Sequence, residues 1–202
     1  MKASNQMIGI TGADTNKLLG LLGAKTKKSK AELLGVSLPS YYRITTSEKD
    51  KFVSDQVELS LLALLEEKFG LLGYEPRKLT EDFIGKMYGL KYRDRPKLYN
   101  QSEPEKYEAI RVRYKGLLVK RSISDPMYKK DLVVLKELFG LKVSDLIEIY
   151  KSSEIKQYIY NGNSRYDELP KVGTIRLWLS LFIYYKKVDL DELREKIKRL
   201  LG

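Results

Sequence analysis

The 202-residue chain contains neither cysteine nor histidine. Without cysteine there are no disulfides and no thiolate metal sites. Without histidine the commonest general base and the usual nitrogen ligand of zinc are missing. Carboxylates, lysine and tyrosine remain as catalytic groups, but no paired motif joins them, so the chain reads as a non-enzyme that needs no metal or cofactor. Long apolar runs are also absent: nothing approaches the roughly 18–20 residues of a membrane span. The opening residues, MKASNQMIGITGADT, have no long apolar stretch and no A-x-A cleavage site, so no signal peptide and no membrane partner are expected.

Charge is what the chain has in excess. Thirty-eight basic and 27 acidic residues give a net charge of +11 and a pI near 9.5, which favours a polyanionic partner. No block of five or six like charges forms a basic tail. The cations are instead interleaved with leucine and with 15 tyrosines, as on the faces of folded helices. Apolar spacing is helical almost throughout, and the expected fold class is all-α.

One segment carries the most specific pattern, Lys27 to Thr46. Ala31 suits a close crossing of two helices. Gly35, four residues on, suits a left-handed turn that ends the first helix. Val36 can plug the turn, and Tyr41 and Ile44, three apart, share the inward face of a second helix. Ser29 and Glu32 have the spacing of a capping box for the first helix. Ser37 can cap the second, with Leu38 and Pro39 in its first turn. The outward face then carries Ser37, Leu38, Ser40, Tyr42, Arg43 and Thr46. An ordinary helical hairpin without a ligand has the same outline.

Around this segment, Asp14 or Thr15 can cap a helix through Leu18, Leu19, Leu21 and Leu22. Thr45 to Val53 reads as a polar loop. Ser54 then caps a helix with Val57, Leu61, Leu64, Leu65 and Phe69 on its apolar face. In the middle region Thr80 can cap a helix containing Phe83, Ile84 and Met87 that ends at Gly89. Lys91 to Asn100 is a basic loop containing Arg93 and Arg95. Ser102 and Glu105 make another capping box, for a helix with Tyr107, Ile110, Tyr114 and Leu117 on one face. Lys106, Arg113 and Lys120, seven apart, line a stripe of that helix, either as a solvated face or as a phosphate contact.

The last third resembles the first. Leu18 to Gly23 matches Leu135 to Gly140; with one residue fewer in the next loop, Tyr42 falls on Tyr158, Ile44 on Tyr160, Leu59 on Ile175, Leu61 on Leu177, Leu62 on Trp178 and Leu65 on Leu181. A diverged internal repeat is expected, with Ile147 at the Ala31 position and Lys151 at the Gly35 position. Its corresponding segment offers Lys156 and Gln157 as base or phosphate contacts. Asp189 and Glu192 have cap spacing for a terminal amphipathic helix, Leu190 to Leu201, that docks internally or forms a dimer contact. These readings divide the chain into residues 1–70, a basic bridging region 71–128 and a repeat 129–202.

With Ala31, Gly35, Val36, Tyr41 and Ile44 in place, residues 14–69 resemble the DNA-binding domain of phage-repressor-like (Cro/C1, XRE-type) helix-turn-helix regulators. Tyr41 is bulkier than the Val or Ile usual at its position. The resemblance implies a recognition helix in the major groove of double-stranded DNA, in a cytoplasmic, nucleoid-associated transcriptional regulator. The tandem arrangement looks like regulators carried by phages, plasmids and other mobile elements. The expected contacts are Arg43 to guanine or phosphate; Ser37, Ser40 and Tyr42 to base edges or phosphates, with Leu38 on the same DNA-facing surface; and Lys27, Lys28, Lys30, Thr45, Thr46 and Lys49 to the backbone. Arg93, Arg95, Lys106, Arg113, Lys120, Lys156 and Gln157 form a possible second contact. The repeat would make a pseudo-dimer within one chain, or a homodimer. The alternatives are docking on a host protein, or RNA binding through the Lys106–Arg113–Lys120 stripe.

Overall fold

The computed structural model describes residues 9–73, 75–87, 108, 111–161 and 167–201. Among these the chain is helical, with two isolated β-bridges and no strand. The helices are α1 (Gly12–Leu21), α2 (Lys27–Leu34), α3 (Leu38–Tyr42), α4 (Asp55–Phe69), α5 (Pro76–Met87), α6 (Lys115–Leu118), α7 (Lys129–Leu138), α8 (Val143–Tyr150), α9 (Ile155–Tyr160), α10 (Lys171–Lys186) and α11 (Leu190–Arg199). A π-helical turn, Arg43–Ser47, continues directly from α3. The chain forms two compact units, residues 1–71 with 179–202, and residues 72–178. This differs from the three-part division expected from sequence. The middle region shares a unit with α7 to α9, and the terminal helix belongs with the first four.

In the first unit α1 starts one turn earlier than expected. Its cap is Thr11, whose hydroxyl accepts from Asp14 N at 3.2 Å, while the Asp14 carboxylate accepts from Thr11 N at 3.0 Å. Thr15 lies inside the helix and donates to Thr11 O at 2.9 Å. α2 likewise begins at a Thr26–Ser29 capping box rather than Ser29–Glu32. Glu32 instead lies 4.0 Å from Lys28, one turn away. Gly35 ends α2 at φ +72°, a left-handed conformation that L side chains adopt at a cost of ~1–2 kcal/mol. Ser54 occupies the cap position of α4 without a side-chain bond. Leu61, Leu64 and Leu65 are buried along α4, but Phe69 at its end is 42% exposed. The terminal helix α11 docks inside this unit through buried Leu193 and Ile197 and through Arg194, which grips Glu58 with bonds of 2.8 and 2.7 Å. That bond to Glu58 pushes the Arg194 guanidinium above its ordinary pKa.

In the second unit α5 starts at Pro76, so Thr80 is an interior residue whose hydroxyl donates to Pro76 O at 3.0 Å. Lys120 is buried and lies 3.1 Å from buried Asp131, and it donates to Pro126 O at 2.5 Å. Asp131 also accepts from Tyr128 N at 3.1 Å at the start of α7. The Arg176 guanidinium stacks 3.9 Å from the centre of the buried Tyr150 ring. Burial pushes the Tyr150 phenol up to about 12.

The elements of the two units fall at nearly constant sequence offsets. α7 has the bounds of α1 moved by 117 positions, and α8 those of α2 moved by 116. The bridge Thr11–Phe52 has its counterpart in Tyr128–Glu168. The bond from Gly12 N to Lys51 O corresponds to that from Lys129 N to Asp167 O, and the bond from Val53 N to Ile10 O to that from Leu169 N to Met127 O. Lys151 adopts the same left-handed turn as Gly35, at φ +56°. Leu59, Leu61, Leu62 and Leu65 pair with Ile175, Leu177, Trp178 and Leu181, all buried. The third helix departs from the expected register. Tyr158 is buried whereas Tyr42 is 41% exposed, and Tyr160 is 69% exposed whereas Ile44 is buried. Buried Tyr158 answers to buried Tyr41, so the turn after Lys151 is one residue longer than the turn after Gly35.

Candidate nucleic-acid interface

The surface of interest is built on α2, α3 and the π turn of the first unit. Its underside is apolar. Ala31, Leu34, Tyr41 and Ile44 are buried, and the left-handed Gly35 lets the chain reverse between α2 and α3. The Ser37 hydroxyl accepts from Ser40 N at 3.3 Å and fixes the start of α3, with Pro39 in the first turn, where no N–H is needed. The π turn follows because Thr45 and Ile44 continue the helix while Glu48 N reaches back five residues to Arg43 O, at 2.9 Å. Thr45 to Ser47 are therefore helical rather than part of the expected loop. Gly12 makes this arrangement possible: a Cβ there would lie 2.0 Å from Ile44 O.

Tyr41 has a reason to be a tyrosine. Its hydroxyl donates to Asn16 Oδ1 at 2.7 Å, and Lys30 Nζ donates to the same oxygen at 2.8 Å and to Asn16 O at 3.0 Å. One asparagine on α1 thus ties α2 and α3 together, a connection that a valine or isoleucine at position 41 lacks. Burial pushes the Tyr41 phenol above its ordinary pKa.

The expected contact residues separate by what they already do. Leu38, Tyr42, Arg43 and Thr46 are exposed side by side on the outward face, as are Lys27, Lys28 and Lys49 at its margins. The Lys27 ammonium sits 4.8 Å from the centre of the Tyr42 ring. Lys30 is committed to Asn16, Thr45 donates to Tyr41 O at 2.9 Å, and the hydroxyls of Ser37 and Ser40 bond one another at 2.9 Å. All four side chains already hold the scaffold in place. Of the possible second contact, Arg93, Arg95 and Lys106 lie outside the described residues. Lys120 is buried against Asp131, and Arg113 is paired with Glu137 through Nε at 2.9 Å and through a second bond from its other nitrogen. Among the described residues, the expected stripe through Lys106, Arg113 and Lys120 is therefore not a line of free cations: α6 ends at Leu118, and the chain beyond it turns Lys120 inward. Lys156 and Gln157 are exposed on α9.

Electrostatics distinguish the two units. Residues 25–51 carry seven cations and three anions, whereas the corresponding residues 141–167 carry four of each. At the place of Arg43, in the register set by the buried tyrosines, the second unit has Tyr160. Asn16 and Glu48 were not apparent as site residues. Asn16 lies far in sequence from its partners, and Glu48 reaches Arg43 only because of the π turn. No metal-binding group of His, Cys, Asp and Glu occurs among the described residues. No family model, curated protein or solved structure matches the chain.

Proposed function

We propose that this protein binds double-stranded DNA in a sequence-specific manner, with α2, the turn at Gly35 and α3 acting as a helix-turn-helix and with Arg43 at its reading centre. The observation that carries this reading is the two-sided construction of α3 and its π turn. Tyr41 and Ile44 are buried beneath it, while Leu38, Tyr42, Arg43 and Thr46 stand exposed together. The surplus of cations in residues 25–51 supplies the phosphate attraction that such an interface needs. The two units are read as diverged copies of one helical module, an inference supported by the matched element bounds, bridges and left-handed turns. The second copy, with balanced charge and Tyr160 in place of Arg43, is assigned a supporting role rather than base reading. Transcriptional regulation is the function this chemistry serves best.

The test is a gel shift of the purified protein on the DNA upstream of its own coding sequence, with random-duplex competitor and a salt series. Preferential binding that weakens steeply with salt is expected. Binding with no preference over random duplex would overturn the reading in favour of a non-specific polyanion binder, and no binding to any duplex would favour a protein partner.

A further inference from the structure

Glu48 is a carboxylate placed beside Arg43 on the reading face. Its two oxygens point to two different cations: Oε2 lies 3.8 Å from Arg43 Nε and Oε1 lies 3.9 Å from Lys51 Nζ. All three side chains line a single cleft of about 250 Å3 with Ser40, Ile44 and Val57. The π turn creates this arrangement. A bond from residue 48 back to residue 43 puts these two side chains on the same side of the turn; an α-helix would bring residues 43 and 47 together instead. The same backbone step therefore exposes Arg43 and brings an anion to it.

We propose that Glu48 is a specificity-determining residue of the DNA-reading face, which occupies the position of a backbone phosphate between Arg43 and Lys51. This rests on the DNA-binding reading above. Arg43 has two ways to bind DNA: to a base edge, which depends on sequence, or to a phosphate, which does not. An internal carboxylate beside it offsets the phosphate option on every duplex. Only a site that offers Arg43 a well-aligned base partner then repays its release from Glu48. The pair is largely exposed, with side-chain exposures of 68% for Arg43 and 41% for Glu48, so it adds little to folding stability. Its effect is on which duplexes bind.

The experiment uses the full chain, Glu48→Gln and Glu48→Asp. The probes are a labelled 20-base-pair random-sequence duplex and a duplex selected by the wild-type protein from a random library, each titrated across a salt series. Glu48→Gln keeps the side-chain shape and the backbone bond to Arg43 O but removes the charge. It should bind the random duplex about three- to ten-fold more tightly at low salt. Its salt slope should steepen by about one to two, as up to two freed cations displace counterions. The ratio of selected to random affinity should fall. Glu48→Asp, which keeps the charge, should restore a slope close to that of the wild type. Unchanged thermal unfolding in all three proteins separates this from a folding effect. If the wild type prefers its selected duplex but Glu48→Gln leaves random-duplex affinity and slope unchanged, the role of Glu48 is wrong and the DNA reading stands. If the wild type selects no sequence, both fall.

Discussion

The two units hold closely corresponding helices by different chemistry. At the start of α1, Asp14 closes a cap shared with Thr11; at the start of α7, the corresponding Asp131 is buried and paired with Lys120. Where the first unit ties its helices with the polar group Asn16, Lys30 and Tyr41, the corresponding positions in the second are Val133, Leu146 and Tyr158. Where the first turns at a glycine, the second turns at Lys151 in the same left-handed conformation. The first unit also draws one carboxylate inward, Glu58 against Arg194, but keeps its outward face cationic. The second buries an ion pair and stacks Arg176 on Tyr150. The difference shows that backbone geometry alone does not assign a nucleic-acid surface; the charge balance and the residue at position 43 or 160 carry that part of the argument.

Removing the two cap aspartates should separate the units most clearly. Asp131→Ala strands a buried lysine and should cost about 3–5 kcal/mol, whereas Asp14→Ala loses a surface cap and should cost about 1 kcal/mol. Urea unfolding of both variants checks this, and equal costs would mean that the two ends are built alike. The turns give a smaller and reciprocal pair. Gly35→Ala should cost about 1–2 kcal/mol, because an L residue is placed at φ +72°. Lys151→Gly should stabilise by a fraction of that, since relief of strain is partly offset by the added freedom of glycine in the unfolded chain. Shifts in thermal midpoint of opposite sign are expected. Tyr41→Phe removes one hydroxyl bond to Asn16 and should cost about 1 kcal/mol by the same unfolding assay. The smallest change concerns binding alone. Lys28→Ala should weaken all duplexes alike and lower the salt slope by about one, whereas Lys156→Ala in the second unit should leave the slope unchanged.

Much of the helical architecture was legible because apolar spacing and turn residues are local signals. Gly35, Ala31, Tyr41 and Ile44 mark the turn and the buried faces of α2 and α3. Cap positions were less legible. Thr11 with Asp14 and Thr26 with Ser29 compete with neighbouring Ser, Thr and Asp residues that fit the same spacing, and only the backbone decides among them. The register of α9 was missed because Tyr158 and Tyr160 both suit a buried position, and the extra turn residue after Lys151 leaves no mark in composition. Heptad spacing places Lys120 on a surface stripe but does not say where a helix ends; α6 stops at Leu118 and the chain then turns Lys120 toward Asp131. The contact of Arg43 with Glu48 depends on a π turn, which has no simple sequence signature.

Under the proposed function the first unit reads sequence through Arg43. The most direct measurement compares wild type and Arg43→Ala on a duplex selected by the wild type and on a random duplex of equal length, at one salt concentration. A loss of about 1–3 kcal/mol is expected on the selected duplex, with a clearly smaller loss on the random one, so that discrimination collapses. Equal losses on both duplexes would contradict it and reduce Arg43 to a phosphate contact.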